Sequence, residues 1–82
     1  MNNAKKPEMV KFGQRLKELR KEKKKKQAEM AELLECTTSH YQKIEYGEIN
    51  IPGISLMTLA DYFGVTTDYL LGRSVDGGPA DD

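Results

Sequence analysis

A single cysteine, Cys36, and a single histidine, His40, are all the chain has of the two side chains that most often bind metals or form cross-links. No internal disulfide can close and no multi-cysteine metal site can form, which suits a reducing compartment. Cys36 reads as a small buried hydrophobe, and metal binding at His40 is remote without a second ligand. No apolar run approaches the roughly 20 residues that span a bilayer, and the start Met-Asn-Asn-Ala-Lys-Lys lacks the apolar stretch of a secretion signal. The expectation is a cytoplasmic protein with no membrane partner. There is no Gly-rich phosphate loop and no His/Cys ligand set, and Ser39 beside His40 is not made a nucleophile–base pair by adjacency, so neither enzymatic activity nor a cofactor is expected. Strand-like alternation and internal repeats are absent too.

Net charge is also missing: 13 basic residues balance 13 acidic ones. The balance hides a strong polarity along the chain. From Lys5 to Lys26 there are eleven bases against Glu8, Glu18 and Glu22, a net of +8, whereas the remainder has only Lys43 and Arg73 against ten acids, a net of −8. Such a chain can hold one face against a phosphate backbone while the other is repelled, although a solvated charged helix with no partner would look similar. With 82 residues, 38% apolar and 32% charged, the chain is expected to form one globular domain, too short for a separate sensor or catalytic domain.

Apolar periodicity locates the elements. Met9, Phe12, Leu16 and Leu19 fall three and four apart and predict a first helix over Met9–Lys23. Lys23 to Lys26 repel one another and hold no core residue, so the chain should leave the helix there. A second helix is read over Gln27–Glu35, with Ala28, Met30, Ala31 and Leu34 inward. Thr37 then caps a third, over Thr38–Tyr46, with Tyr41 and Ile44 inward and Gly47 closing it. After a Pro52-Gly53 loop, a fourth helix turns Leu56, Leu59, Ala60 and Phe63 inward and stops at Gly64. A short fifth starts near Thr66 or Thr67, bringing Leu70 and Leu71 to the core before Gly72. Residues 1–8 are read as a flexible arm, 9–72 as the domain and 73–82 as a disordered acidic tail.

Two short helices in succession, the second opening on small hydroxyl side chains, form a geometry in which one helix crosses a phosphate backbone and the next enters the major groove. The segments FGQRLKELRKEK, QAEMAELL, TTSHYQKIEYG, LMTLADYFGV and TTDYLLG follow in order over Phe12 to Gly72, about three quarters of the chain. In this series the chain resembles the helix-turn-helix family of phage lambda repressor and Cro. The resemblance implies an all-α, compact five-helix DNA-binding domain. It assigns Gln27 to a position that touches the DNA backbone and buttresses the reading helix, and Thr38, Ser39 and Lys43 to positions facing base edges. Helical spacing independently puts those three on one face, away from Tyr41 and Ile44. His40 and Gln42 flank that face within reach of phosphates or bases, and Thr37 stands at its start. Glu45 matches an acidic position that pairs with a base of the first helix, for which Arg20 is the partner expected.

The chain departs from the family pattern at two corners. Lys24, Lys25 and Lys26 replace a glycine, an apolar residue and a hydroxyl before Gln27, so an irregular corner is expected, with the three lysines near phosphates. Glu35 stands where the turn usually has glycine, which implies backbone strain or an altered turn. The function expected is a sequence-specific transcriptional regulator, a repressor, bound to a double-stranded operator as a homodimer at least on DNA. Tyr62, Tyr69 and Leu70 are the candidate dimer contacts. The alternatives are an antitoxin or mobile-element regulator, which would add a protein partner, and a protein-interaction module that has lost DNA affinity.

Overall fold

The computed structural model describes residues 6–73, and over that span it is all-helical. Helix α1 runs Pro7–Glu22, α2 Gln27–Leu33, α3 Thr38–Glu45, α4 Gly53–Phe63 and α5 Thr67–Leu70. Residues 1–5 of the expected arm and 74–82 of the expected tail lie outside the described residues. Helix α1 begins two residues ahead of expectation because Pro7, at the first helical position, has no N–H to leave unpaired and a φ already suited to a helix.

The periodic apolar residues do most of the folding. Phe12 and Leu16 of α1, Met30 and Ala31 of α2, Tyr41 and Ile44 of α3, Leu59 and Ala60 of α4, and Leu70 of α5 form one buried cluster. Leu19, Leu34, Leu56, Phe63 and Leu71 are half-buried against it, as is Cys36, whose thiol burial pushes up. Ala28 is exposed, contrary to expectation. It stands two residues before Met30, which on a helix puts it on the opposite side of α2. Leu70 is completely buried, so it cannot be a dimer contact.

Gly13 permits the closest approach of two helices. A Cβ there would fall 2.2 Å from the Glu45 carbonyl oxygen, so α1 and the end of α3 meet backbone to backbone.

All five described helices end in the same two-bond cap, in which the second residue past the last turn donates back to a carbonyl five residues earlier. The bonds are Lys25 N–H to Arg20 O, Cys36 to Ala31, Glu48 to Lys43, Val65 to Ala60 and Arg73 to Asp68, between 2.8 and 3.1 Å. This cap needs one left-handed residue. Gly47, Gly64 and Gly72 supply it for α3, α4 and α5, but Lys24 and Glu35, both at φ 58°, supply it at the ends of α1 and α2. The two irregular corners foreseen from sequence are therefore ordinary caps occupied by unfavourable residues. Helix α2 starts with equal economy. Lys26 has no acceptor to offer as a cap, and Glu29 instead accepts the Lys26 N–H at 2.7 Å.

Candidate nucleic-acid interface

The face of α3 turned from the core carries Ser39, Lys43 and Tyr46 along its centre, with Gln42 and Thr38 on one flank and His40 on the other. Thr38, Ser39, His40 and Lys43 are exposed and Gln42 is half-buried. Tyr46, 51% exposed, was not singled out from sequence, because an aromatic at helical spacing reads as core. Its place among polar neighbours on the outward face was the available signal. Thr37 Oγ1 accepts the His40 N–H at 3.0 Å and caps α3, which leaves its O–H able to donate.

Behind this face lies a polar cluster that ties α1, α2 and α3 together. Arg20 donates through Nε and Nη2 to Glu45 Oε2 and Oε1, at 2.6 and 3.2 Å. The expected Arg20–Glu45 pair is thus present, with both residues buried. Tyr41 Oη donates to Glu45 Oε2 at 2.6 Å, and Gln27 Nε2 donates to Glu45 Oε1 at 3.0 Å. Gln42 Nε2 in turn donates to Gln27 Oε1 at 2.9 Å. Gln27 therefore does buttress α3, through Glu45 and Gln42 together. The role of Gln42 in this cluster escaped sequence reading, since a hydrogen bond across 15 residues leaves no periodic trace, whereas the Tyr41–Glu45 bond spans four residues of one helix and its spacing was available but went unread.

Burial alone would push the Glu45 carboxyl up, but the hydrogen bonds from Arg20, Tyr41 and Gln27 and the charge of Arg20 outweigh it and hold the group below the usual carboxylate range. Burial and the bond to Glu45 push the Tyr41 phenol far up, so it remains a donor. The Arg20 guanidinium is raised by its bond to Glu45, against the opposing effect of burial. Every buried polar side-chain atom among the described residues is hydrogen-bonded, so the cluster holds α1, α2 and α3 in one mutual arrangement.

The lysine corner adjoins the cluster. Lys24 and Lys26 are exposed and Lys25 is half-buried, its carbonyl accepting from Arg20 Nη1 at 3.0 Å. Arg15 faces another way: its guanidinium lies 4.0 Å from the centre of the Tyr69 ring and donates to the Tyr69 carbonyl, fastening α5 to α1. No group of three metal-ligating side chains occurs among the described residues, and no described helix is long and apolar enough to cross a membrane.

A short helix buttressed across a tight turn by its predecessor, with polar side chains turned outward and lysines at the adjoining corner, defines a helix-turn-helix DNA-binding domain. A family model described as helix-turn-helix matches residues 16–70, and the chain belongs to that family, in its Cro/C1 type. Its fold is similar to that of the restriction-modification controller protein C.AhdI from Aeromonas hydrophila. The two are 32% identical with a TM-score of 0.70, over 79% of this chain and 98% of that one. No protein of curated function matches at the sequence level. The chain is a DNA-binding transcriptional regulator.

Proposed function

We propose that the chain works in the cytoplasm as a repressor, occupying an operator as a two-fold dimer with α3 of each copy in the major groove. The observation that carries this is the outward face of α3, held by the Gln27–Glu45–Arg20 cluster so that Thr38, Ser39, Gln42 and Lys43 project together. Hydroxyls serve several base edges, and Lys43 suits guanine O6 and N7. Gln27, Thr37, His40 and the lysines Lys24, Lys25 and Lys26 contact the backbone and set affinity and register more than sequence choice. The likeness to C.AhdI supports control of restriction-modification genes as the setting.

A two-turn reading helix touches too few base pairs to discriminate within a genome, which favours two copies on adjacent half-sites. The outer face of α4 and α5 suits the contact between them. Ile54 is 75% and Met57 58% exposed there, beside a shallow hollow lined by Met57, Ala60, Asp61, Val65, Thr66 and Thr67. An apolar face of this kind on a small domain fits a second copy of itself, and it leaves α3 uncovered.

The test is selection of bound sites from a random duplex library, followed by two variants measured side by side. Lys43→Ala should weaken binding to the best site by about 1–3 kcal/mol and relax preference at one base pair, a G·C, without lowering the melting temperature appreciably. Tyr41→Ala should lower stability by about 3–5 kcal/mol, because a side chain with no exposed surface leaves a cavity, and should lose binding only through unfolding. Parental affinity and base preference in Lys43→Ala would refute this orientation of α3.

A further inference from the structure

The hydrogen-bond chain from Glu45 to the surface has a fixed direction. Glu45, held ionised by Arg20, can only accept, so the end of the Gln27 amide turned toward it must be the NH2 group. The Gln27 carbonyl therefore points to Gln42 and can be met only by the Gln42 NH2 group. Reversing the Gln27 amide would set a carbonyl against a carboxylate, and reversing Gln42 would set carbonyl against carbonyl. Gln42 is left with its own carbonyl oxygen and the second N–H of its amide, on the flank of the face that carries Ser39 and Lys43.

We propose that Gln42 reads an adenine, and that Gln27 and Glu45 are positioning residues holding its amide in the one polarity adenine accepts. This rests on the reading of α3 as the helix in the groove. In the major groove adenine offers the N6 amino donor and the N7 acceptor, which the outward carbonyl and the remaining N–H of Gln42 match as a pair. Guanine offers two acceptors, N7 and O6, so the fixed carbonyl would face O6 and be repelled. A glutamine free to turn its amide could meet O6 with its NH2 instead and would lose this discrimination. The buried carboxylate thus determines, through two successive amides, which base is read at a position it never touches. Holding the side chain in advance also removes rotamer freedom that binding would otherwise have to freeze.

The experiment measures competition binding of the full chain to its selected site with each of the four base pairs placed at each position, with melting temperatures as a fold control. One adenine position should show a preference on the order of 5-fold to 150-fold over guanine, abolished in Gln42→Ala. Gln27→Met keeps side-chain length but neither donates nor accepts, and it should reduce the preference at that same position while the preferences at other positions persist. The two changes should be non-additive when combined. Gln42→Glu leaves only acceptors and should move the same position from adenine to cytosine, whose N4 is a donor. An adenine preference that survives Gln42→Ala, Gln27→Met or Gln42→Glu would overturn the proposal, as would a Gln27→Met effect spread evenly over all positions. The groove reading fails separately: in that case Thr38→Ala, Lys43→Ala and Gln42→Ala would all leave every base preference unaltered.

Discussion

Glu45 receives hydrogen bonds from α1, α2 and its own helix through Arg20, Gln27 and Tyr41. A buried charge so placed is costly to disturb, because removing one partner leaves the others desolvated and incompletely paired. Tyr41→Phe keeps the ring and deletes one bond to a charged acceptor, and should lower stability by about 1.5–3 kcal/mol in urea unfolding at neutral pH. The pH dependence has a definite sign. Because the folded protein holds the Glu45 carboxyl below its ordinary value, the stability it contributes is fully present above the ordinary carboxylate range and is lost as pH falls through that range toward the depressed folded value. Unfolding free energy should therefore drop on acidification. The drop should be smaller in Tyr41→Phe and should end at higher pH, because the carboxylate is less firmly held there while the onset, set by the unfolded carboxyl, is shared; falls of equal size in the two proteins would contradict this.

The element scale is governed by the five matching helix ends. A left-handed backbone is free for Gly47, Gly64 and Gly72 but costs about 1–2 kcal/mol for a residue with a Cβ, and Lys24 and Glu35 bear that cost at both borders of α2. Glu35→Gly should raise stability by about 0.5–1 kcal/mol, the relief being partly offset by the greater chain entropy of unfolded glycine. Thermal unfolding reads the change directly, and a fall in melting temperature would refute the account. Gly13→Ala should act in the opposite direction. Its methyl group would enter the backbone of α3 at Glu45, forcing the helices apart at a cost of about 1–3 kcal/mol. The lysine corner belongs to the same scale. Replacing Lys24, Lys25 and Lys26 together by glutamine should weaken specific and non-specific complexes alike, and flatten the slope of log K against log salt by roughly one unit per lost phosphate contact. An unchanged slope would place these side chains in solvent.

For the whole molecule, the charge segregation seen along the sequence becomes a property of surfaces. Lys11, Arg15, Lys17, Arg20 and Lys21 sit on α1 and Lys23 to Lys26 on the corner leading into α2, whereas α4 and α5 carry the acids Asp61 and Asp68 and no base. Such a molecule is drawn to a duplex in one orientation, with the acidic end held away. The exposed Ile54 and Met57 lie on α4, where the contact with a second copy is proposed. Exchanging both for glutamate should leave the melting temperature nearly unchanged, since neither is in the core. It should also reduce sedimentation on a complete two-fold operator to one protomer per half-site bound without cooperativity. Unaltered cooperative binding of two copies would place the dimer contact elsewhere.

What could be read from sequence was local and periodic. The steps of three and four from Met9 to Leu19 and the inward placing of Tyr41 and Ile44 needed only helical geometry. So did the caps at Thr37 and Thr66 and the stops at Gly47, Gly64 and Gly72, because each depends on residues within one or two turns. The Arg20–Glu45 pair was foreseen through the family resemblance rather than through spacing. Ala28 was misplaced because a short helix defines its inward stripe poorly until the neighbouring helix is present, and Leu70, which the sequence offered both as core and as a dimer contact, is core alone. Tertiary structure alone decided the close approach at Gly13 and the joining of Arg20, Gln27, Tyr41, Gln42 and Glu45 into one hydrogen-bonded cluster. These residues lie up to 25 positions apart in the chain. Their mutual orientation follows from how α1, α2 and α3 pack, and a hydrogen bond depends on ångström-scale distances that no sequence period encodes.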